Sequence, residues 1–371
     1  MATYTADQMY GTGSQGETIS GSTLFTFINP SGSSYFTLET IQDRTGSFSG
    51  KQKTTSGSWI PSTDYMGPVR SDYFASVVVA PGTSSVLLNP ATPITGSNYK
   101  IKGTGAFSMT TFNPSASLFA AGAQGAWFDA SDLSTMFQDV AGTIPVTAVG
   151  QYVGKWLDKS GNGNHAVAAA NNTTRPTYRV DNEGNPNVTF TKSPATQLTV
   201  ASMALAGTNK LTVCAGLHPE DQTSAGVAVE FGDATVNNGS FLIGAPSSTA
   251  DHSIYLRGTT TTLQARVANI VDGDDIITAL LDISAGATTR ELQLIPRLNF
   301  VQIPTANITW TPASGGTTTG VNFGTLPLYL GSRSGLGTPF GGKIYQLIIR
   351  GAASTTTEVY QIETFTDAKL D

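Results

Sequence analysis

What most constrains this chain is its rhythm. Short apolar runs rich in β-branched and aromatic residues recur from Leu24 to Arg350, and Gly, Pro, Asn or Asp closes nearly every one of them. Runs of that length and make-up read as strands, and the residues between them read as turns. Phe25 and Phe27, then Phe36 and Leu38, alternate with polar neighbours as half-buried strand residues do. Helical spacing is best developed at the end of the chain, in Val359, Ile362, Phe365 and Leu370. Ser354, a Thr run and Glu358 precede it as a fair helix start. Only 12% of the residues are charged, against 40 Gly and 18 Pro. That balance suits sheets joined by many turns and suits long exposed helices badly. The expected class is all-β with a short C-terminal helix.

The runs fall into two groups. Residues 1–112 read as a small β-sandwich or partly open barrel, with strands near 24–28, 35–41, 73–79, 85–88 and 99–102. Residues 113–124 are rich in Pro, Ser, Ala and Gly and read as a linker. Residues 125–371 form the second domain. Its expected strands lie near 188–190, 197–200, 211–216, 227–231, 240–243, 253–256, 263–267, 276–283, 290–294, 328–331 and 342–350. Asp132 reads as the cap of a short helical turn near its start. So many strands in one segment predict two large sheets packed face to face.

Composition also excludes functions. The net charge is −6, and the Lys and Arg residues are scattered, so neither a nucleic-acid footprint nor a polybasic membrane face is expected. No apolar run is long enough to span a bilayer, and the first residues show no secretory pattern, which predicts a soluble protein made in a cytoplasm. Cys214 is the one cysteine, so an internal disulfide and a cysteine-based zinc site are both ruled out. It reads as a buried strand position.

The stretch Trp156–Ala166 organises the second domain. A bulky apolar pair enters a run of Asp, Ser, Gly and Asn, then leaves through His165 into Ala166 and Val167. The plainest reading is a strand, a tight polar loop and a second strand. Asp158, Asn162 and Asn164 could offer oxygens to calcium or to sugar hydroxyls. The commoner role for such residues is to satisfy the turn's own backbone. His165 reads as a packed or hydrogen-bonded residue, because no His or Cys partner lies near it in sequence. A second acidic group, Asp272, Asp274 and Asp275 around Gly273, is a candidate calcium loop. It reads more simply as a hairpin connection. No cofactor is expected beyond a possible Ca2+.

Nucleotide and hydrolase signatures fail in context. Gly11–Gly16 has dinucleotide-type glycine spacing but follows no apolar strand. Gly337–Lys343 continues with Ile344 where a phosphate loop needs Ser or Thr. No Gly-x-Ser-x-Gly elbow occurs.

Trp127–Asp139 together with Trp156–Ala166 resembles the opening of the concanavalin A-like (laminin-G-like) lectin/glucanase domains of tailed-phage structural proteins. Arg175-Pro176 sits where those domains carry an Arg-Pro, and the 341–349 run with the terminal helix resembles the family's close. The likeness covers about residues 125–371, is distinctive in its opening motifs, and leaves residues 1–112 without a resemblance. It implies a jelly-roll β-sandwich with a carbohydrate-facing side, in a virion-surface setting. Laminarinase-like members carry Glu-x-Asp-x-x-Glu on one strand. That spacing is absent here, and Glu230 and Glu291 stand without a partner at it. A glycosidase needs two carboxylates across the sugar bond, so catalysis is not expected. Among the aromatics, Trp59, Tyr65, Tyr73, Trp310, Tyr329 and Phe340 are candidates for sugar stacking, with core packing the commoner role for any one of them. Trp310 leads because it precedes a polar Gly-rich loop.

The expected function is therefore that of a non-enzymatic virion-surface protein, in capsid decoration or associated with the tail. Residues 1–112 would attach it to major capsid or tail proteins, as a homo-oligomer, and the lectin-like domain would bind cell-surface glycans weakly. A tail fibre or polysaccharide depolymerase, and a capsid cement without sugar affinity, are the rival expectations.

Overall fold

The structure is a computed structural model. It describes the strand backbones within residues 1–111 and residues 112–370, apart from 170–171, 223, 234–235, 247–250, 259–260, 269–272, 285–287, 314–315, 319 and 321. The chain divides into two compact units, Met1–Asn113 with Thr355–Lys369, and Pro114–Ser354 with Leu370.

The first unit holds two five-stranded antiparallel sheets. One runs Thr3–Thr5, Ala106–Thr111, Thr23–Asn29, Gly82–Pro90, Phe48–Ser49. The other runs Met9–Tyr10, Tyr99–Gly103, Ser34–Thr40, Phe74–Val79, Gly57–Ser62. The C-terminal helix, Thr356–Asp367, groups with this unit by its contacts. Its cap is Thr355, whose hydroxyl accepts from the Glu358 N–H while the Glu358 carboxylate accepts from the Thr355 N–H. That reciprocal pair satisfies two otherwise orphaned donors of the first turn. Phe365 on the helix meets Phe112 edge-on at 5.6 Å.

The second unit is a β-sandwich. One sheet has eight strands: Thr177–Val180, Pro186–Phe190, Gly342–Arg350, Lys210–Pro219, Asp275–Asp282, Leu294–Leu298 and Val301–Gln302 in order, with Gly125–Asp129 also on Gly342–Arg350. The other has ten: Met136–Phe137, Lys155–Trp156, Ala166–Val167, Leu198–Ala204, Thr325–Leu330, Val227–Asp233, Val236–Gly244, Asp251–Arg257, Thr262–Ala268 and Ile308–Thr311. Every named pairing is antiparallel. Gly342–Arg350 is the hub, since Pro186–Phe190 and Gly125–Asp129 follow one another along one of its edges and Lys210–Pro219 takes the other.

Period-2 alternation divides the ten-stranded sheet into two faces. Val229, Phe231, Phe241, Ile243, Ile254 and Leu256 belong to the buried core. Glu230, Leu242, Ser253, Tyr255 and Arg257 alternate with them and point the other way. Trp156 is wholly buried and packs on Phe128 with ring centroids 5.4 Å apart. Cys214 is buried on its strand as expected.

Two local expectations fail. The segment that precedes Asp275 is not a hairpin turn. Thr262–Ala268 lies in the ten-stranded sheet and Asp275–Asp282 in the eight-stranded one, so the chain changes layers there. Strong apolar runs on both sides of a turn signal do not say whether the strands pair with each other. Residues 290–294 are not a strand either: Arg290–Gln293 forms one helical turn, and the strand starts at Leu294.

Candidate functional site

The Trp156–Ala166 stretch folds as a hairpin in which Trp156 pairs with Ala166 and Lys155 with Val167. Its Asx side chains turn inward. Asp158 is buried, and its carboxylate accepts from the N–H groups of Trp127 (2.9 Å), Ser160 (2.8 Å) and Asn164 (2.9 Å) and from the Ser160 hydroxyl (2.8 Å). The Asn162 and Asn164 amides both donate to the Gly125 carbonyl, at 3.1 and 2.8 Å. The Asp158 N–H donates to His165 Nδ1 at 3.1 Å. The loop therefore spends its polar atoms locking the first strand of the unit in place. The network fills the oxygens of Asp158 from within, which corrects its reading as a sugar or calcium ligand, and it gives the Asn162 and Asn164 amide nitrogens the turn-holding role named above as the commoner one.

The acidic segment is also consumed internally. Asp272 lies outside the described residues. Asp274 Oδ1 stands 2.9 Å from His218 Nδ1 and 2.9 Å from the Tyr345 hydroxyl, which also reaches Asp181 Oδ2 at 2.9 Å. Burial alone would raise the Asp274 carboxyl, but the bonds from His218 and Tyr345 outweigh it and hold the group below its ordinary value. The bond to Asp274 raises His218 above its ordinary value. Burial, reinforced by the two carboxylates, raises Tyr345. Asp275 faces elsewhere: His252 Nε2 meets its Oδ2 at 2.8 Å, and the Asn299 amide donates to its Oδ1 at 2.9 Å. Since His252 belongs to the ten-stranded sheet and Asp275 to the eight-stranded one, this contact links the two layers. Among the described residues no group of three His, Cys, Asp or Glu side chains is arranged to hold a metal. The reading of Asp274 and Asp275 as calcium ligands gives way to their use as structural acceptors.

Trp310 is 7% exposed, and the Arg290 guanidinium sits 4.9 Å from its ring centroid. Its ring is buried and one neighbour is already a cation, so Trp310 does not offer an open stacking platform. Phe340 is wholly buried. The side chains of Trp59, Tyr65 and Tyr73 lie outside the described residues.

A different place has the make-up of a site. A pocket of about 180 Å³ opens over the outer face of the ten-stranded sheet. Leu242 and Gly244 line it from Val236–Gly244, Ser253, Tyr255 and Arg257 from Asp251–Arg257, and Arg333 and Thr338 from the loop that follows Thr325–Leu330. Under it lies Glu230, wholly buried. Its Oε1 accepts from Arg257 Nη1 at 3.2 Å and Arg333 Nε at 3.1 Å, and its Oε2 from the Ser334 N–H at 3.1 Å. A buried carboxylate is tolerable only when compensated in this way. Tyr255 lies beside Arg257, whose guanidinium carbon is 5.9 Å from the ring centroid. The loop is held in register by bonds from the Arg333 N–H to the Gly337 carbonyl (2.7 Å) and from the Val227 N–H to the Thr338 carbonyl (3.0 Å).

Sequence reasoning missed this pocket. It set Glu230 aside as a carboxylate without a partner, whereas the fold supplies cations rather than a second acid. The one available signal was the alternation in Ser253–Arg257, which places Ser253, Tyr255 and Arg257 on one face. Arg333 is remote in sequence and reaches the site only through the fold. A second pocket, of about 170 Å³ beside Lys210 and Leu292, is mainly apolar, and its ammonium is already paired with Asp282.

The chain matches no protein-family model and no curated protein. Several solved structures share weak likeness. The IT-sialidase CBM40 of Ruminococcus gnavus bound to α2,3-sialyllactose is 14% identical over 42% of this chain and 83% of that chain, with a TM-score of 0.31. Domain 4 of AbnA, a GH43 extracellular arabinanase from Geobacillus stearothermophilus, in complex with arabinotriose, is 17% identical over 65% and 98%, with a TM-score of 0.41. The binding domain of botulinum neurotoxin DC in complex with rat synaptotagmin II is 9% identical over 57% and 49%, with a TM-score of 0.38. At these values the likeness carries no argument about what this chain binds.

Proposed function

We propose that this is a non-enzymatic virion-surface protein of a tailed phage whose second unit is a lectin-like glycan-binding module, with the Arg257–Arg333 pocket as the binding site. Residues 1–112 attach it to the capsid or tail and assemble it as a homo-oligomer. The virion setting rests on the resemblance of the 127–139 and 156–166 motifs. The glycan reading rests on one observation: an open polar pocket in which donors remain after the internal network is satisfied. Among the described residues, Arg257 keeps Nε and Nη2, and Arg333 keeps Nη1 and Nη2, without a hydrogen-bond partner. Sugar hydroxyls and carboxylates are acceptors for such donors, and the Tyr255 ring offers an apolar face beside them. The pocket lining includes no carboxylate, and general acid–base glycoside hydrolysis needs two. One weak site per chain is enough where many copies act together.

The test is a glycan array with the full chain, followed by titration of any hit. Binding should fall about tenfold or more, roughly 1.4 kcal/mol, in Arg333→Ala. An array with no binding, even for a multimerised sample, removes the lectin reading. New reducing ends on incubation with polysaccharide remove the non-enzymatic one.

A further inference from the structure

The pocket shows more than unspent donors. Its charged lining side chains, Arg257 and Arg333, are both cations. Counting the buried Glu230 beneath them, the site has a formal charge of +1, within a chain whose total is −6. Glu230 takes one nitrogen from each guanidinium through a single oxygen, which fixes the orientation of both forks before any ligand arrives. Ser253 adds an independent sign. It is 1% exposed and lines the pocket, and its hydroxyl has no hydrogen-bond partner among the described residues. A buried hydroxyl left unpaired is costly, so it is a ready partner for a polar group that enters the pocket.

We infer that the pocket binds a saccharide through a carboxylate on its sugar ring, a uronic or similar sugar acid, with Arg257 and Arg333 holding the carboxylate and Ser253 and Tyr255 contacting the ring. A guanidinium fork gives a carboxylate two parallel bonds, which a neutral hydroxyl cannot accept; a sulfate ester can take both bonds, but its oxygens are weaker bases and so weaker acceptors. Each guanidinium gives Glu230 a single bond, which leaves Arg257 Nε and Nη2 and Arg333 Nη1 and Nη2 as adjacent donor pairs with no partner among the described residues. The pocket's volume of about 180 Å³ leaves room for a sugar unit. The inference rests on the glycan-binding reading above, and it adds the chemical class of ligand and the atoms that select it.

Titration of the full chain with three trisaccharides tests it: tri-galacturonate, the same trisaccharide with its carboxylates reduced to alcohols, and a sulfated galactose trisaccharide. Tri-galacturonate is expected to bind at least tenfold more tightly than the other two, with affinity falling as salt is raised. Arg333→Lys keeps the charge and removes the fork, so it should erase most of that margin. Ser253→Ala, a smaller change that keeps the fold, should weaken tri-galacturonate binding several-fold. Equal affinity for the reduced trisaccharide overturns the acidic-sugar inference and leaves the lectin reading intact. Equal or tighter binding of the sulfated sugar overturns the carboxylate assignment. Failure of all three to bind, on a wild-type sample with a native β spectrum, overturns the inference; an array likewise empty of neutral glycans then overturns the lectin reading as well.

Discussion

Asp158 shows how one side chain can set the start of a domain. Two backbone N–H groups from its own loop, a hydroxyl, and the Trp127 N–H from a strand 31 residues earlier converge on one buried carboxylate. Gly125 completes the arrangement. Its carbonyl collects both Asn amides, and its φ of +137° with Ile349 O only 1.9 Å from a would-be Cβ requires glycine. Replacing Asp158 with Ala should cost about 3 kcal/mol or more, because several buried donors lose their acceptor together. Urea unfolding monitored by Trp fluorescence measures this. A loss below about 0.5 kcal/mol, the range of an ordinary surface substitution, would mean that the loop does not hold the strand. The sequence showed that these residues form a compact polar turn. It could not show that their side chains point inward, because Asp, Asn and Ser cap turns and bind ligands with the same atoms.

At the scale of the element, the loop from Gly331 to Gly341 decides whether a pocket exists. It leaves its strand through Gly331, whose φ is +85° and whose Cβ would stand 1.9 Å from Phe190 Cδ1. It then carries Leu336 and Thr338 in the left-handed region, at φ +63° and +48°. Non-glycine residues held there cost about 1–3 kcal/mol each, and such positions gather where a loop serves a site. The Phe340 N–H closes the loop on the Gly331 carbonyl at 2.8 Å. Gly331→Ala must therefore move Phe190 out of the core or shift Arg333, two residues on. The expected outcome is a melting temperature several degrees lower, and weaker saccharide binding in whatever fraction still folds. A variant that melts and binds like wild type would contradict this account of the loop. The strands at each end were legible from composition and alternation, but the loop's path was not, because nothing local tells Arg333 that Glu230 waits across the sheet.

For the whole molecule, the His218–Asp274 pair gives the second unit a pH signature. His218 is raised, chiefly by its bond to Asp274; burial and Lys343 oppose the rise and Glu220 supports it. The imidazolium's contribution is thus complete below the ordinary value of 6.5 and is lost as pH rises through the higher folded value. Asp274 is lowered, so its contribution is present above 3.8 and is lost as pH falls through the lower folded value. Between those limits both groups stabilise the fold. Stability should decline on the alkaline side, and His218→Asn should flatten that limb. A difference between wild type and His218→Asn that stays constant from about pH 5 to about pH 9 rules the pair out as its source. The sequence by itself determined the all-β class, the two-sheet second unit, the turn at Trp156–Ala166 and the capped terminal helix. Alternation, turn residues and capping are local properties that a linear chain displays. Only the tertiary structure decided that the chain changes layers before Asp275, that Asp158 is an internal acceptor, and that Glu230 lies under two arginines. Each of those depends on strands distant in sequence becoming neighbours, and the side-chain period of two fixes which face a residue occupies without naming what it will meet there.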